Sequence, residues 1–203
     1  MIPNYNRVSW FYDALARLIF GSKLEYAKMA QLNQIKTSDK VLIVGGGSGS
    51  ILKYLDEKTA PRQVDFVEYA STMLRKAQQV ELKHLKVNFK PGDILLHEQG
   101  NYDVIITNFF FDQYGYAECE NYILHLKGLA RPGASLLYAD FILSSRWRDR
   151  VIRKAMYLFF RLTLNLGKVQ LLNHKTIFLK HGIECQRTIP ISSFIVSEMY
   201  KIS

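Results

Sequence analysis

Val41-Leu42-Ile43-Val44-Gly45-Gly46-Gly47-Ser48-Gly49-Ser50 is the stretch that decides the fold of this chain. Four aliphatic residues run straight into a glycine-rich loop, and residues 51–58 then read as a helix. Glycine lets the backbone turn with positive φ and lets a ligand approach without a side chain in the way. The helix that follows offers unpaired N–H groups and the positive end of its dipole. In open α/β sheets ligands lie at the carboxyl ends of the strands. The loop therefore stands where a nucleotide-like cofactor belongs. The plainer alternative is a glycine turn that binds nothing.

The glycine spacing separates the nucleotide readings. A phosphate loop needs a lysine in GxxxxGK[ST], and none stands in place, which disfavours an NTPase. A dinucleotide fingerprint wants GxGxxG. Here Gly45, Gly47 and Gly49 are separated by single residues, Gly46 and Ser48.

Working outward, apolar strands alternate with helical patterns. Strands are expected at 40–44, 63–68, 85–90, 102–108 and 134–141, and helices at 71–80 and 118–130, the latter stopped by Arg131-Pro132-Gly133. Residues 8–34 read as two helices broken at Gly21-Ser22, residues 147–166 as a long helical stretch, and 175–181 as a short helix. The alternation implies βαβ units. The central strands are continuous apolar runs, as expected when helices cover both sheet faces. Residues 183–189 and 194–202 read as closing strands joined by a short turn, which makes them antiparallel. The fold class is α/β: a Rossmann-like three-layer sandwich, with a mostly parallel sheet and an antiparallel C-terminal hairpin.

Glu68 ends the second strand, nineteen positions after Gly49. A carboxylate there can accept two hydrogen bonds from a ribose diol and would repel a 2′-phosphate.

Taken in order, VLIVGGGSG, VDFVEYASTML, KPGDI, YDVIITNFF and LARPGASLLYADF resemble the successive motifs of class I S-adenosylmethionine-dependent methyltransferases. The N-terminal YNRVSWFYDALARLIFG resembles the cap of the ubiquinone/menaquinone C-methyltransferase group, and the likeness covers nearly everything up to Phe141. The resemblance implies seven strands in the order 3-2-1-4-5-7-6, with strand seven antiparallel. It implies S-adenosylmethionine as cofactor, held by Gly45, Gly46, Gly47 and Gly49. Asp93 would accept from the adenine amino group, with the next N–H on a ring nitrogen and Tyr69, Met73 and Ile94 around the base. Asn108 and Phe109 would lie near the methionine moiety, and Tyr12 in the cap would close over the cofactor. One position departs: the family carries an acid two residues before the first loop glycine, and this chain has Ile43. Beyond Phe141 the likeness to the quinone enzymes fades, so their substrate is not carried over.

Methyl transfer from a sulfonium needs chiefly alignment, and a base only where the nucleophile must lose a proton. Asp112 is the candidate base, with a helix cap ahead of the 118–130 helix as its structural alternative. Phe109, Phe110 and Phe111 read either as a wall for a lipophilic acceptor or as core. The five histidines show no metal-ligand spacing, so no metal is expected.

Composition agrees with one domain over 1–203, with a helical cap over 1–35 and a helical lid or insertion over 142–174. The chain has 203 residues, 48% hydrophobic, and a formal net charge of +9. No apolar run reaches the roughly 18 residues of a membrane span. The polar start and two widely spaced cysteines, Cys119 and Cys185, point to a reduced, cytoplasmic protein. The positive excess gathers at Arg146, Arg148, Arg150, Arg153, Lys154 and Arg161, on a stretch with a broad apolar face. Three readings share that stretch: a sheet-covering helix, a lid over a hydrophobic acceptor, and peripheral contact with an anionic membrane. No nucleic-acid motif accompanies it, so the partner expected is a small-molecule acceptor, not nucleic acid. The oligomeric state is open at this level. Methyl transfer to a small hydrophobic or aromatic acceptor, at carbon or oxygen, is the leading function. A nicotinamide-dependent oxidoreductase and a non-catalytic cofactor-binding module are its rivals.

Overall fold

β1 (Lys40–Val44) is buried along Val41–Val44 and is flanked on both edges by parallel partners. β2 (Gln63–Glu68) and β4 (Tyr102–Asn108) pair with it so that Val44 stands opposite both Val67 and Thr107. The register brings the carboxyl ends of three strands into line. In this computed structural model, residues 21–142, 146 and 172–203 are described. Within them the sheet has seven strands in the order β3-β2-β1-β4-β5-β7-β6, completed by β3 (Val87–Pro91), β5 (Ala130–Phe141), β6 (Ile183–Pro190) and β7 (Ile195–Ile202). β7 runs antiparallel to both β5 and β6, as the closing hairpin predicts.

Successive side chains of the central strands point to opposite faces, and each face builds its own core. One face carries Leu42, Val44, Ile105, Leu136 and Tyr138 beneath α4 (Tyr116–Leu129) and α5 (His174–Lys180). The other carries Val41, Ile43, Val64, Phe66 and Ile106 against α2 (Leu52–Tyr54) and α3 (Ser71–Gln78). Each of these side chains contributes about 1.5–3 kcal/mol on burial. That is why the apolar runs become central strands.

Apart from shifts of one or two residues at element ends, two elements differ from expectation. β5 begins at Ala130, not 134, and takes in Arg131-Pro132-Gly133. A register shift between Tyr102 and Val104 accommodates Pro132, which cannot donate to the ladder, and Arg131 pairs with Asp103 at 2.6 Å. The helix at 51–58 is α-helical only over Leu52–Tyr54 and widens into a π turn over Leu55–Thr59. There the buried Asp56 carboxylate accepts from the N–H groups of Lys83, His84 and Leu85. Before β1, only α1 (Lys23–Met29) and a 3-10 turn (Leu32–Gln34) fall among the described residues. The rest of the expected cap, Tyr12 included, and the helical stretch at 147–166 lie outside them.

Candidate functional site

The glycine loop leaves β1 and is tied at once to its neighbour, because Gly45 N–H donates to Val67 O at 2.9 Å. Gly45, Gly47 and Gly49 all have positive φ (60°, 61° and 78°), which is why glycine recurs at alternate positions. Gly46 is needed for space. A Cβ there would lie 2.3 Å from the Phe66 ring. At Gly47 a Cβ would meet nothing within 4 Å, so the loop is open on that side.

Glu68, at the carboxyl end of β2, is buried and turns back on this loop. Its carboxylate accepts from Gly47 N–H at 2.9 Å and from Ala70 N–H at 2.8 Å. Burial pushes its pKa up, opposed by those backbone hydrogen bonds. Ile43, where the family carries an acid, is packed into the core with Phe66. The anchoring of the loop comes from β2 instead. Glu68 O also receives Gly92 N–H at 3.1 Å, which stitches the end of β3 to the same edge.

Asp93 follows and caps the 3-10 turn Ile94–Leu96, accepting from Leu95 N–H at 3.0 Å, while Tyr122 of α4 donates to its other oxygen at 3.1 Å. Its turn-forming role is thus real, and lone pairs remain on both oxygens. Nearby, Ile94 and Met73 are buried and the Tyr69 ring is exposed. At the end of β4, Asn108 is half-buried with its Nδ2 unpartnered. Phe109 takes a left-handed φ of 52° and donates its N–H to Ala139 O at 2.7 Å. A non-glycine residue in that region marks a chain forced into a tight course.

The aromatic wall divides. Phe111 is fully buried, Phe110 packs beneath Gly45, and both belong to the core, whereas Phe109 lies against Phe141. Asp112 is not the cap of α4; that place is held by Gly115, and Asp112 sits inside the 3-10 turn Phe111–Gln113. Burial pushes its carboxyl up to about 7.

Sequence reasoning passed over a set of groups on the α4/α5 face of β4 and β5. Asp140 and His174 are buried, Tyr138 OH lies 2.7 Å from His174 Nδ1, and His174 Nδ1 is 4.0 Å from Asp140 Oδ2. Burial, then the Asp112 carboxylate, push Asp140 well above the ordinary range, and burial lowers His174 to about 4. The available signal was a charged residue inside the apolar strand LLYADF.

These carboxyls predict a pH dependence of stability. Between the ordinary Asp value of 3.8 and about 7, folded Asp112 holds a proton that the unfolded chain has lost. The folded state is therefore favoured at the acid end of that window and loses stability as pH rises through it; Asp140 acts in the same direction. His174, lowered to about 4, acts in the opposite sense below its ordinary value of 6.5, so thermal melts should fall from about pH 6.5 to 8, and Asp112→Asn should flatten the fall. A flat wild-type profile would contradict the burial.

A family profile described as "Methyltransferase domain" matches residues 42–136. That stretch, a little under half of the chain, is similar to a methyltransferase domain. The match runs from β1 into β5 and includes the glycine loop, Glu68, Asp93 and Asp112. Such a domain of class I takes S-adenosylmethionine as its methyl donor. No curated protein matches the chain. Solved structures share the fold at low identity. Magnesium protoporphyrin IX methyltransferase from Synechocystis PCC 6803, with bound SAH, superposes with a TM-score of 0.68 at 20% identity, covering 95% of this chain and 88% of that one. An Aquifex aeolicus SAM-dependent methyltransferase gives 0.67 at 19%, covering 94% and 98%. A chain solved in complex with a Haloferax volcanii methyltransferase activator gives 0.72 at 9%, covering 100% and 99%. The methyltransferase-domain match and these folds agree with the class I resemblance of the motifs. The finer likeness to the quinone group finds no counterpart among these structures.

Proposed function

We propose that this domain transfers a methyl group from S-adenosylmethionine to a small hydrophobic or aromatic acceptor, at carbon or oxygen. The observation that carries the reading is the loop edge itself. Three positive-φ glycines, an open Gly47 and a buried Glu68 converge at the carboxyl end of β1 and β2. An orphaned amide, Asn108 Nδ2, stands at the end of β4. This edge fits the cofactor. Glu68 would take the ribose hydroxyls on its free lone pairs. Asp93 and the Ile94 N–H would take adenine, with Tyr69, Met73 and Ile94 about the ring. Gly45–Gly49, Asn108 and Phe109 would hold the amino-acid end, and Tyr12 would close over it.

The bound donor supplies an activated methyl on a sulfonium, and the chain's residues supply position and a proton sink. Asp112, with its carboxyl near 7, is suited to accept a proton from a hydroxyl or acidic carbon at neutral pH. Turnover should rise through about pH 7. Asp112→Asn should lower it about 100-fold while leaving cofactor affinity unchanged. Equal turnover by the variant would remove Asp112 from the reaction.

The partner we infer is a small-molecule acceptor, and the place of action the cytoplasm, in keeping with two free cysteines. Among the described residues no helix is long and apolar enough to cross a membrane. The Arg-rich stretch at 146–161 would supply any peripheral contact with an anionic bilayer, which co-sedimentation with anionic vesicles would detect. We read the chain as one domain with a cap over 1–35 and a lid over 142–174.

The test is titration calorimetry with S-adenosylhomocysteine, with NAD as control. Micromolar binding to the first and none to the second is expected. Failure of S-adenosylhomocysteine to bind would overturn the reading and bring the non-catalytic alternative forward.

A further inference from the structure

Buried carboxylates in this protein are, as a rule, fully supplied with donors. Asp56 receives three backbone N–H groups. Asp65 receives Tyr102, Asn88 and Gln63. Glu198 of β7, on the same sheet face as Asp140, receives Lys175 at 2.5 Å, Thr188 at 2.9 Å and Tyr200 at 2.5 Å. Asp140 is the exception among the described residues. Its Oδ1 accepts from Phe141 N–H at 2.8 Å, but its fully buried Oδ2 has no partner. Two further atoms on that face are buried and unpartnered: His174 Nε2 and Thr107 Oγ1.

These orphans cluster. Thr107 stands opposite Tyr138 in the β4–β5 register, and Asp140 lies two residues further along β5 on the same face. His174 reaches over from the start of α5 to within 4.0 Å of Asp140. The Asp112 carboxylate comes in from the turn after β4, and it raises the Asp140 pKa. Phe111 and Phe178 pack their rings around the group, at 5.6 Å from His174 and 5.4 Å from Tyr138 respectively. The cluster is at the carboxyl end of β4 and β5, beside Asn108, where an acceptor would meet the methyl.

We propose that Asp140, with Asp112, His174 and Thr107 about it, forms a subsite for a protonated basic nitrogen carried by an aromatic or hydrophobic acceptor. The inference rests on the methyltransferase reading and names the acceptor class. A buried carboxyl with one oxygen left unpartnered carries a desolvation cost that an ammonium or amidinium group relieves with charge-assisted hydrogen bonds. No lysine or arginine among the described residues forms an ion pair with Asp140 or Asp112, which leaves the unpartnered Oδ2 open to a cation brought by the acceptor. Aromatic neighbours add attraction for a cation on a flat scaffold. Among the described residues of the cluster an anionic acceptor would meet two carboxyls and no lysine or arginine.

The test uses the whole chain, saturated with S-adenosylhomocysteine, titrated with three near-isosteric probes: benzylammonium, benzyl alcohol and benzoate. Benzylammonium should bind about tenfold more tightly than benzyl alcohol, and benzoate most weakly. Asp140→Asn should erase the preference for the cation while S-adenosylhomocysteine affinity stays unchanged. If that variant does not fold, the ranking of the three probes on the wild type decides alone. Equal binding of ammonium and alcohol, or no binding of the ammonium, overturns the subsite. Failure of S-adenosylhomocysteine to bind is a separate result that overturns the cofactor reading, and the probes are then ranked on the unsaturated protein.

Discussion

Gly46→Ala is expected to lower stability by about 3 kcal/mol and to weaken S-adenosylhomocysteine binding at least ~100-fold. A Cβ at this position would lie 2.3 Å from Phe66 Cε2 and Cζ and 2.9 Å from Ile43 Cγ2. Both neighbours are interdigitated in the core beneath β1 and β2 and have no free direction in which to move. The strain has to go into the loop, which carries Gly47 away from Glu68. Gly47→Ala loses affinity for a different reason and with less loss of stability. Its φ of 61° costs about 1–2 kcal/mol for an L-residue, but the new methyl meets no protein atom within 4 Å. Stability should change only by that strain, while affinity falls because the methyl occupies the open side of the loop. Denaturant unfolding and calorimetry on both variants separate the cases. If Gly47→Ala leaves affinity intact, the open side of the loop is not the cofactor's place.

Glu68→Ala should weaken cofactor binding by ~100-fold or more and also cost stability. The carboxylate satisfies two backbone donors, Gly47 N–H and Ala70 N–H, and its deletion leaves both without an acceptor inside the fold. An unsatisfied buried donor costs about 1–3 kcal/mol. The ribose acceptors vanish at the same time. Glu68→Gln keeps one acceptor oxygen but sets an NH₂ against the second backbone donor. Its loss should be smaller than that of Ala and still measurable. Because burial raises the Glu68 pKa and ribose needs the ionised form as acceptor, affinity should weaken toward acid pH. Unchanged affinity in Glu68→Ala would show that Glu68 serves the loop alone.

The two predictions also mark the boundary between pattern and packing. The GGGSG spacing showed that glycines were needed, and the positive φ at Gly45, Gly47 and Gly49 bears that out. It did not show that Gly46 is required for a different reason, a ring from β2 pressed beneath it. Likewise the position of Glu68 at the end of an apolar strand pointed to a ligand role, and its grip on Gly47 appeared only when β2 was laid beside β1.

Periodicity is a local property, and it was enough for the elements that depend on local causes. The sequence by itself determined the alternation of strands and helices, the burial of the central strands on both faces, the closing hairpin and the loop that opens the domain. Each follows from the order of apolar residues and glycines along the chain. Only the tertiary structure decided matters of partnership between distant residues. It took Arg131-Pro132-Gly133 into β5 through a bulge against β4, and it set the α4 cap at Gly115, which removes the capping alternative for Asp112. It set Phe110 and Phe111 in the core, and it gathered Thr107, Asp112, Asp140 and His174 at one edge of the sheet. The physical reason is the same throughout. Which polar atoms find partners, and which are left without, depends on strands and helices that meet across sequence separations no local pattern records.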